Sequence, residues 1–277
     1  LGVITEIGLR LYGIPEAISA AVCQFPDLGS AVDSVIVAMQ LGIPVARIEL
    51  LDAVQMDASI RYSKLEGFAA KPTLFFEFHG TDAGVREQAE AIQSITSDHG
   101  GSAFQWTSAP EERSKLWKAR HHAYYAALAL MPGSQAFATD ACVPISRLAD
   151  CVMETQADIE STGLVAPIVG HVGDGNFHLI IVFDPKRPGD RDKAEGLARR
   201  ASLRAIGMDG TCTGEHGIGV HKLDALVAEH GEAVSLMQSI KRALDPHDIM
   251  NPGKTVPLAT GEPALHVSAA TVGIALR

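Results

Sequence analysis

Apolar and polar positions along the 277-residue chain do not keep a single period. Short runs rich in branched and aromatic residues, ISAAVCQF, ARIELL, TLFFEF and SAFQW, alternate with stretches whose apolar residues recur at helical spacing. That alternation is expected of layered α and β structure. It predicts strands over residues 18–25, 46–51, 73–78 and 102–106, and helices over 27–41, 52–62 and 82–98, the first capped by Asp27. The order is strand, helix, strand, repeated once with a helical insertion between, which is the split βαβ pattern of ferredoxin-like folds.

The second half repeats part of this order. A long helix is predicted over 110–130, a strand over FATDACV, and a helix capped by Ser146 that buries Leu148, Cys151, Val152, Thr155 and Ile159. The strands LVAPIVGH and HLIIVF and a helix over 191–206 follow, then the glycine-rich stretch MDGTCTGEHGIG and a helix over 222–244. Pro246 and Pro252 close the helical part, and residues 258–277 read as a tail. The fold class is therefore α+β, a ferredoxin-like split βαβ cap domain (14–207) followed by an active-site loop and C-terminal helices (208–257). The chain opens on Leu1 inside the strand-like LGVITEIGLRL, so residues 1–13 are read as one strand of a domain otherwise missing from this piece.

Composition narrows the partners. Lys and Arg total 23 against 33 Asp and Glu, a formal charge of -10 that offers no basic footprint for nucleic acid. No apolar run reaches the roughly 18 to 20 residues of a spanning helix, and no signal-peptide pattern appears. The four cysteines, Cys23, Cys142, Cys151 and Cys212, form no CxxC pair and read as buried thiols of a reducing compartment. The expected setting is cytoplasmic, with peripheral docking on a membrane protein left open.

Candidate chemistry gathers in GHVGDGNFH, between the last two apolar runs. Asp174-Gly175 suits a two-residue type I′ turn. That turn places His171 directly opposite His178, with Cβ atoms roughly 4.5–5.5 Å apart. Two neutral imidazoles offer nitrogen ligands to a divalent metal, and Glu215 of TGEHG adds a carboxylate while leaving coordination positions open for substrate. The same residues also fit a polar pair at a strand end, a good turn and an exposed loop.

GHVGDGNFH, GTCTGEHGIG and DPHDIMNPGK, in this order, resemble the C-terminal part of the FAD-linked oxidases of the vanillyl-alcohol oxidase type. LWKARHHAYYAALAL and TDACVPISRL look most like the D-lactate dehydrogenase (cytochrome) branch. The resemblance runs from Leu1 to about Pro257. It implies FAD as cofactor, with residues 1–13 as the last strand of the flavin domain. It further implies a divalent metal, zinc or manganese, held by His171, His178 and Glu215, with His216 as the catalytic base. Arg120 would meet the substrate carboxylate, Asn176 would touch substrate or flavin, and Asn251 would lie near the flavin.

The implied reaction is oxidation of a D-2-hydroxy acid, D-lactate by preference, to the 2-keto acid. Electrons would pass to a cytochrome, quinone or electron-transfer protein. Without the resemblance, Arg120 reads as a helix-surface arginine and Asn251 as a turn residue before Pro252. Thr139 and Asp140 approach the same region, although an Asp there equally serves a turn. Two further readings stay open, a metal-dependent hydrolase using the same ligands and an inactive fragment that only binds substrate or metal.

Overall fold

The computed structural model describes residues 1–257, and the tail expected over 258–277 lies outside them. Gly13–Gly214 form one compact unit, and Leu1–Tyr12 with the described residues from Glu215 to Pro257 form another.

The larger unit begins β1 (Ala17–Gln24), α1 (Leu28–Gln40), β2 (Val45–Leu51), α2 (Ala53–Ser63), β3 (Thr73–Gly80), α3 (Asp82–Asp98) and β4 (Ser102–Thr107). Its strands lie in the order β4-β1-β3-β2, each antiparallel to its neighbours, as the split βαβ pattern requires. Side-chain oxygens start the helices where expected: Asp27 accepts from the Ser30 amide, Asp52 from Gln55 and Thr81 from Gly84.

α4 (Pro110–His121), α5 (Ala123–Ala129), β5 (Gln135–Ala138), β6 (Ala141–Cys142), α6 (Leu148–Thr162), β7 (Ile168–Gly170), β8 (Asn176–Phe183) and α7 (Asp190–Gly207) follow. β7 pairs with β2, so the sheet continues as β4-β1-β3-β2-β7-β8-β5, with β6 also on β8. Both faces are covered. Ala21, Cys23, Leu74, Phe76, Leu179 and Ile181 pack under α1, α3, α6 and α7, whereas Val22, Leu51, Phe75, Val169, Ile180 and Val182 pack with α2, α5 and Trp117 of α4. Strand parity alone sorts these residues into two cores. The smaller unit contains α8 (Leu223–His230) and α9 (Ala233–Leu244), which share a core of Leu226, Val234 and Val256.

Several local expectations change. The hairpin is not a two-residue turn: Val172–Asp174 form a 3₁₀ turn, Gly175 is left-handed (φ 75°), and His178 faces Val169 rather than His171. Packing fixes that turn, because a Cβ on Gly175 would lie 2.1 Å from the Val143 carbonyl oxygen. The strand over 137–143 is two, broken where Thr139 Oγ1 takes the Leu179 amide and Asp140 turns to side-chain partners. LVAPIVGH keeps only Ile168–Gly170 as strand, since Pro167 has no amide for a ladder.

The helices change as well. Ser146 caps nothing: it lies in a 3₁₀ turn (Ile145–Arg147) started at Pro144, and α6 begins without a side-chain cap. The helix over 110–130 breaks at His122, which lets Ala123, Ala126 and Ala127 turn inward while most of α4 remains exposed. The helix over 222–244 breaks at Gly231, whose φ of 52° and ψ of -124° no helix accepts. Residues 1–11 form no strand, having no ladder partner among the described residues. Gly210 and Thr211 pack against Cys142 within the larger unit.

Candidate functional site

β2, β7 and β8 lie side by side, and parity puts Glu49 and His178 on the face that also carries Leu51, Val169 and Ile180. His171, the residue after β7, lies on the same face. The register differs by two residues from the expected one, an even step that preserves the face. The two imidazoles therefore still meet, edge to face, with ring centroids 5.5 Å apart and planes at 84°. Ring nitrogens of the pair come within 4.8 Å of one another.

Each ring is held by an acceptor. His178 Nδ1 donates to the Thr139 carbonyl at 2.8 Å, and His171 Nδ1 donates to Glu49 Oε1 at 2.7 Å. A carbonyl and an ionised carboxylate only accept, so Nδ1 carries the proton in both rings and, in the neutral form, Nε2 carries the lone pair. That is the support seen around metal-ligating histidines, and the donor set fits a divalent transition cation.

Glu49 also binds Arg120, whose Nε donates to Oε2 at 2.9 Å. Glu49 is 4 % exposed, and burial alone would raise its pKa. The His171 hydrogen bond and the Arg120 charge outweigh burial and hold the carboxyl below its usual range. Sequence reasoning missed this residue. A lone acid in ARIELL was its one signal, and period-2 alternation reads such an acid as solvent-facing.

Asn176, at the start of β8, donates through Nδ2 to Asp140 Oδ1 at 2.7 Å, and Asp140 Oδ2 accepts from Thr213 Oγ1 at 2.7 Å. Asn176 Oδ1 is buried without a hydrogen-bond partner among the described residues, an acceptor suited to a ligand. A Cβ on Gly214 would lie 2.1 Å from Asn176 Nδ2, so the first glycine of the GEHG run is needed for this close approach.

The larger unit thus brings together His171, His178, Arg120 and Asn176, with Glu49, Thr139 and Asp140 as supports. Glu215, His216 and Asn251 belong to the other unit. Glu215 and His216 are half exposed, with His216 Nε2 3.7 Å from Glu215 Oε1. Asn251 has a left-handed backbone (φ 48°) and lines a groove of about 280 Å³ with Leu1, Val3, Lys241 and Met250.

The chain matches the family "FAD linked oxidases, C-terminal domain" over residues 14–255. It is 51% identical over 259 residues to the probable mitochondrial D-lactate dehydrogenase of Danio rerio, covering 93% of this chain and 52% of that protein. It is 46% identical over 258 residues to the mitochondrial D-lactate dehydrogenase [cytochrome] of Arabidopsis thaliana, covering 93% and 45%. The chain spans about half the length of these relatives. Among solved structures, 4-ethylphenol oxidase from Gulosibacter chungangensis superposes with a TM-score of 0.69 at 14% identity, over 91% of this chain and 56% of that one, a likeness of fold. From the motifs, the sheet and these matches together, the chain belongs to the FAD-linked oxidase family and carries its C-terminal domain.

Proposed function

We propose that this chain supplies the metal and substrate half of the active site of an FAD-dependent D-2-hydroxyacid dehydrogenase that oxidises D-lactate. The observation that carries the reading is the histidine pair, with both Nδ1 atoms held by acceptors, linked through Glu49 to the arginine of the WKAR motif. His171, His178 and Glu215 hold a divalent cation, zinc or manganese. When bound, the cation supplies Lewis acidity to the substrate hydroxyl and FAD supplies the two-electron acceptor.

The remaining work falls to side chains of this chain. Arg120 pairs with the substrate carboxylate through its terminal guanidinium nitrogens and so turns the single α-carbon hydrogen of the substrate toward the acceptor. His216 takes the hydroxyl proton. Asn176 offers Oδ1 to the ligand, and Asn251 lies on the flavin side. Residues 1–13, which form no strand among the described residues, become one when a flavin domain supplies the neighbouring strand, a role supported by the exposed apolar side chains of Ile4, Ile7, Leu9 and Leu11. A cytochrome, quinone or electron-transfer protein then receives the electrons. The relatives named above are mitochondrial, whereas composition pointed to the cytoplasm; among the described residues no helix is long and apolar enough to cross a membrane.

The test uses a protein that joins this chain to a flavin domain. His171→Ala is expected to lose bound metal and D-lactate turnover together, by about 100-fold or more. His216→Asn is expected to keep the metal, measured by elemental analysis, and to slow flavin reduction by about 10²–10⁴-fold. Full metal content in His171→Ala sinks the ligand assignment. Ester hydrolysis that needs metal and ignores flavin would favour a hydrolase.

A further inference from the structure

The roles proposed for the histidine pair and the arginine do not account for Glu49. Its carboxylate is the meeting point of three elements distant in sequence: β2, which carries it, the C-terminal turn of α4, which carries Arg120, and the turn after β7, which carries His171. Each oxygen serves one partner, Oε1 the His171 Nδ1 at 2.7 Å and Oε2 the Arg120 Nε at 2.9 Å. The division leaves the working atoms of both partners facing away from Glu49: Nε2 of the imidazole, and the two terminal nitrogens of a guanidinium that makes no other hydrogen bond among the described residues.

We propose that Glu49 is a positioning residue that sets the cation-binding face of His171 and the carboxylate-binding face of Arg120 with a single buried carboxylate. The inference rests on the ligand and substrate roles given to those two residues above. A carboxylate is rigid and planar, so splitting it between two donors fixes their separation and mutual orientation in a way that two separate acceptors would not. Binding a cation and binding a substrate carboxylate then become coupled. A loss on one side of Glu49 is felt on the other.

A purely structural ion cluster is the competing account, and stability does not separate the two, because removing one member of a buried charge cluster destabilises the fold on either account. Ligand affinities do separate them. A built-in control exists: Glu77 on β3 bridges Arg47 Nη2 (2.9 Å) and His79 Nε2 (3.0 Å) in the same manner, with His79 solvent-exposed and away from the histidine pair.

The experiment measures the Mn²⁺ dissociation constant by calorimetry and the KM for D-lactate, both in the flavin-containing protein. Glu49→Gln, nearly isosteric, is expected to weaken Mn²⁺ binding by about 10-fold, the lower end of what outer-shell partners contribute. It is also expected to raise KM for D-lactate by about 10-fold. Glu77→Gln should change neither. Arg120→Gln should weaken Mn²⁺ binding about threefold without touching a ligand, and this effect should vanish in the Glu49→Gln background, the signature of coupling through Glu49. Mn²⁺ affinity and KM within twofold of wild type in Glu49→Gln overturn the proposal, as does a change in only one of them. Should Glu49→Gln not fold, an Mn²⁺ affinity unaltered by Arg120→Gln overturns it. Undiminished Mn²⁺ binding in His171→Ala would instead strike the ligand reading itself.

Discussion

Asp52 shows how much one side chain can carry. Its Oδ1 caps α2 through the Gln55 amide at 2.7 Å, and its Oδ2 takes the Ile168 amide of β7 at 2.9 Å. Burial pushes its pKa up to about 6 despite these bonds. The folded value lies above the unfolded one near 3.9, so the folded state holds the extra proton between the two. The resulting stability is full below about pH 4 and is lost as pH rises through about 6, a swing on the order of 3 kcal/mol. Asp52→Asn cannot titrate, and its amide nitrogen would oppose one of the two backbone donors. The variant should therefore be less stable than wild type at pH 4.5, with the gap narrowing by pH 7. Parallel chemical denaturation at the two pH values checks this, and a constant gap would contradict it. Asp27 and Asp52 were legible as helix starts in the sequence. The second bond of Asp52, to a strand over a hundred residues away, was not.

At the scale of elements, α6 and α7 are clasped by Asp158, which accepts from Arg200 Nε and Nη2 (3.0 and 2.7 Å) and from Arg204 Nη2 (2.8 Å). The Arg200 hydrogen bonds, opposed in part by burial and joined by Arg204, hold the Asp158 pKa below its usual value. A depressed carboxyl stabilises the fold above its unfolded pKa and loses that contribution as pH falls below about 4. Asp158→Ala is expected to cost about 1–2 kcal/mol at pH 7, with the difference from wild type shrinking at pH 3. An equal loss at both values would place the effect in packing. Strands β1 to β4 and helices α1 to α3 were readable because their periods are clean and their caps local. The breaks at His122, Gly231 and Thr139 escaped because tertiary packing, not propensity, decides where those elements stop.

At the scale of the molecule, the family match covers residues 14–255 and the chain spans about half of its relatives. A polypeptide of these 277 residues is expected to bind Mn²⁺ yet fail to retain FAD through desalting. Fusion to a flavin domain is expected to restore flavin absorbance. Stoichiometric FAD on the 277-residue chain alone would show that its residues hold the cofactor unaided.

The sequence by itself determined the order of the elements from β1 to β4, and with it the ferredoxin-like half, the Asp27 cap and the motifs that mark the family, because each is written in local spacing. It also put His171 and His178 on one face, since the face survives any even error in register. Tertiary structure alone decided the register of that hairpin, the recruitment of Glu49 between His171 and Arg120, and the burial of Asp140 beneath Asn176. Each of these joins residues far apart along the chain. Pairing of β2 with β7 is a non-local choice made by two buried faces, and no period within either strand encodes its partner.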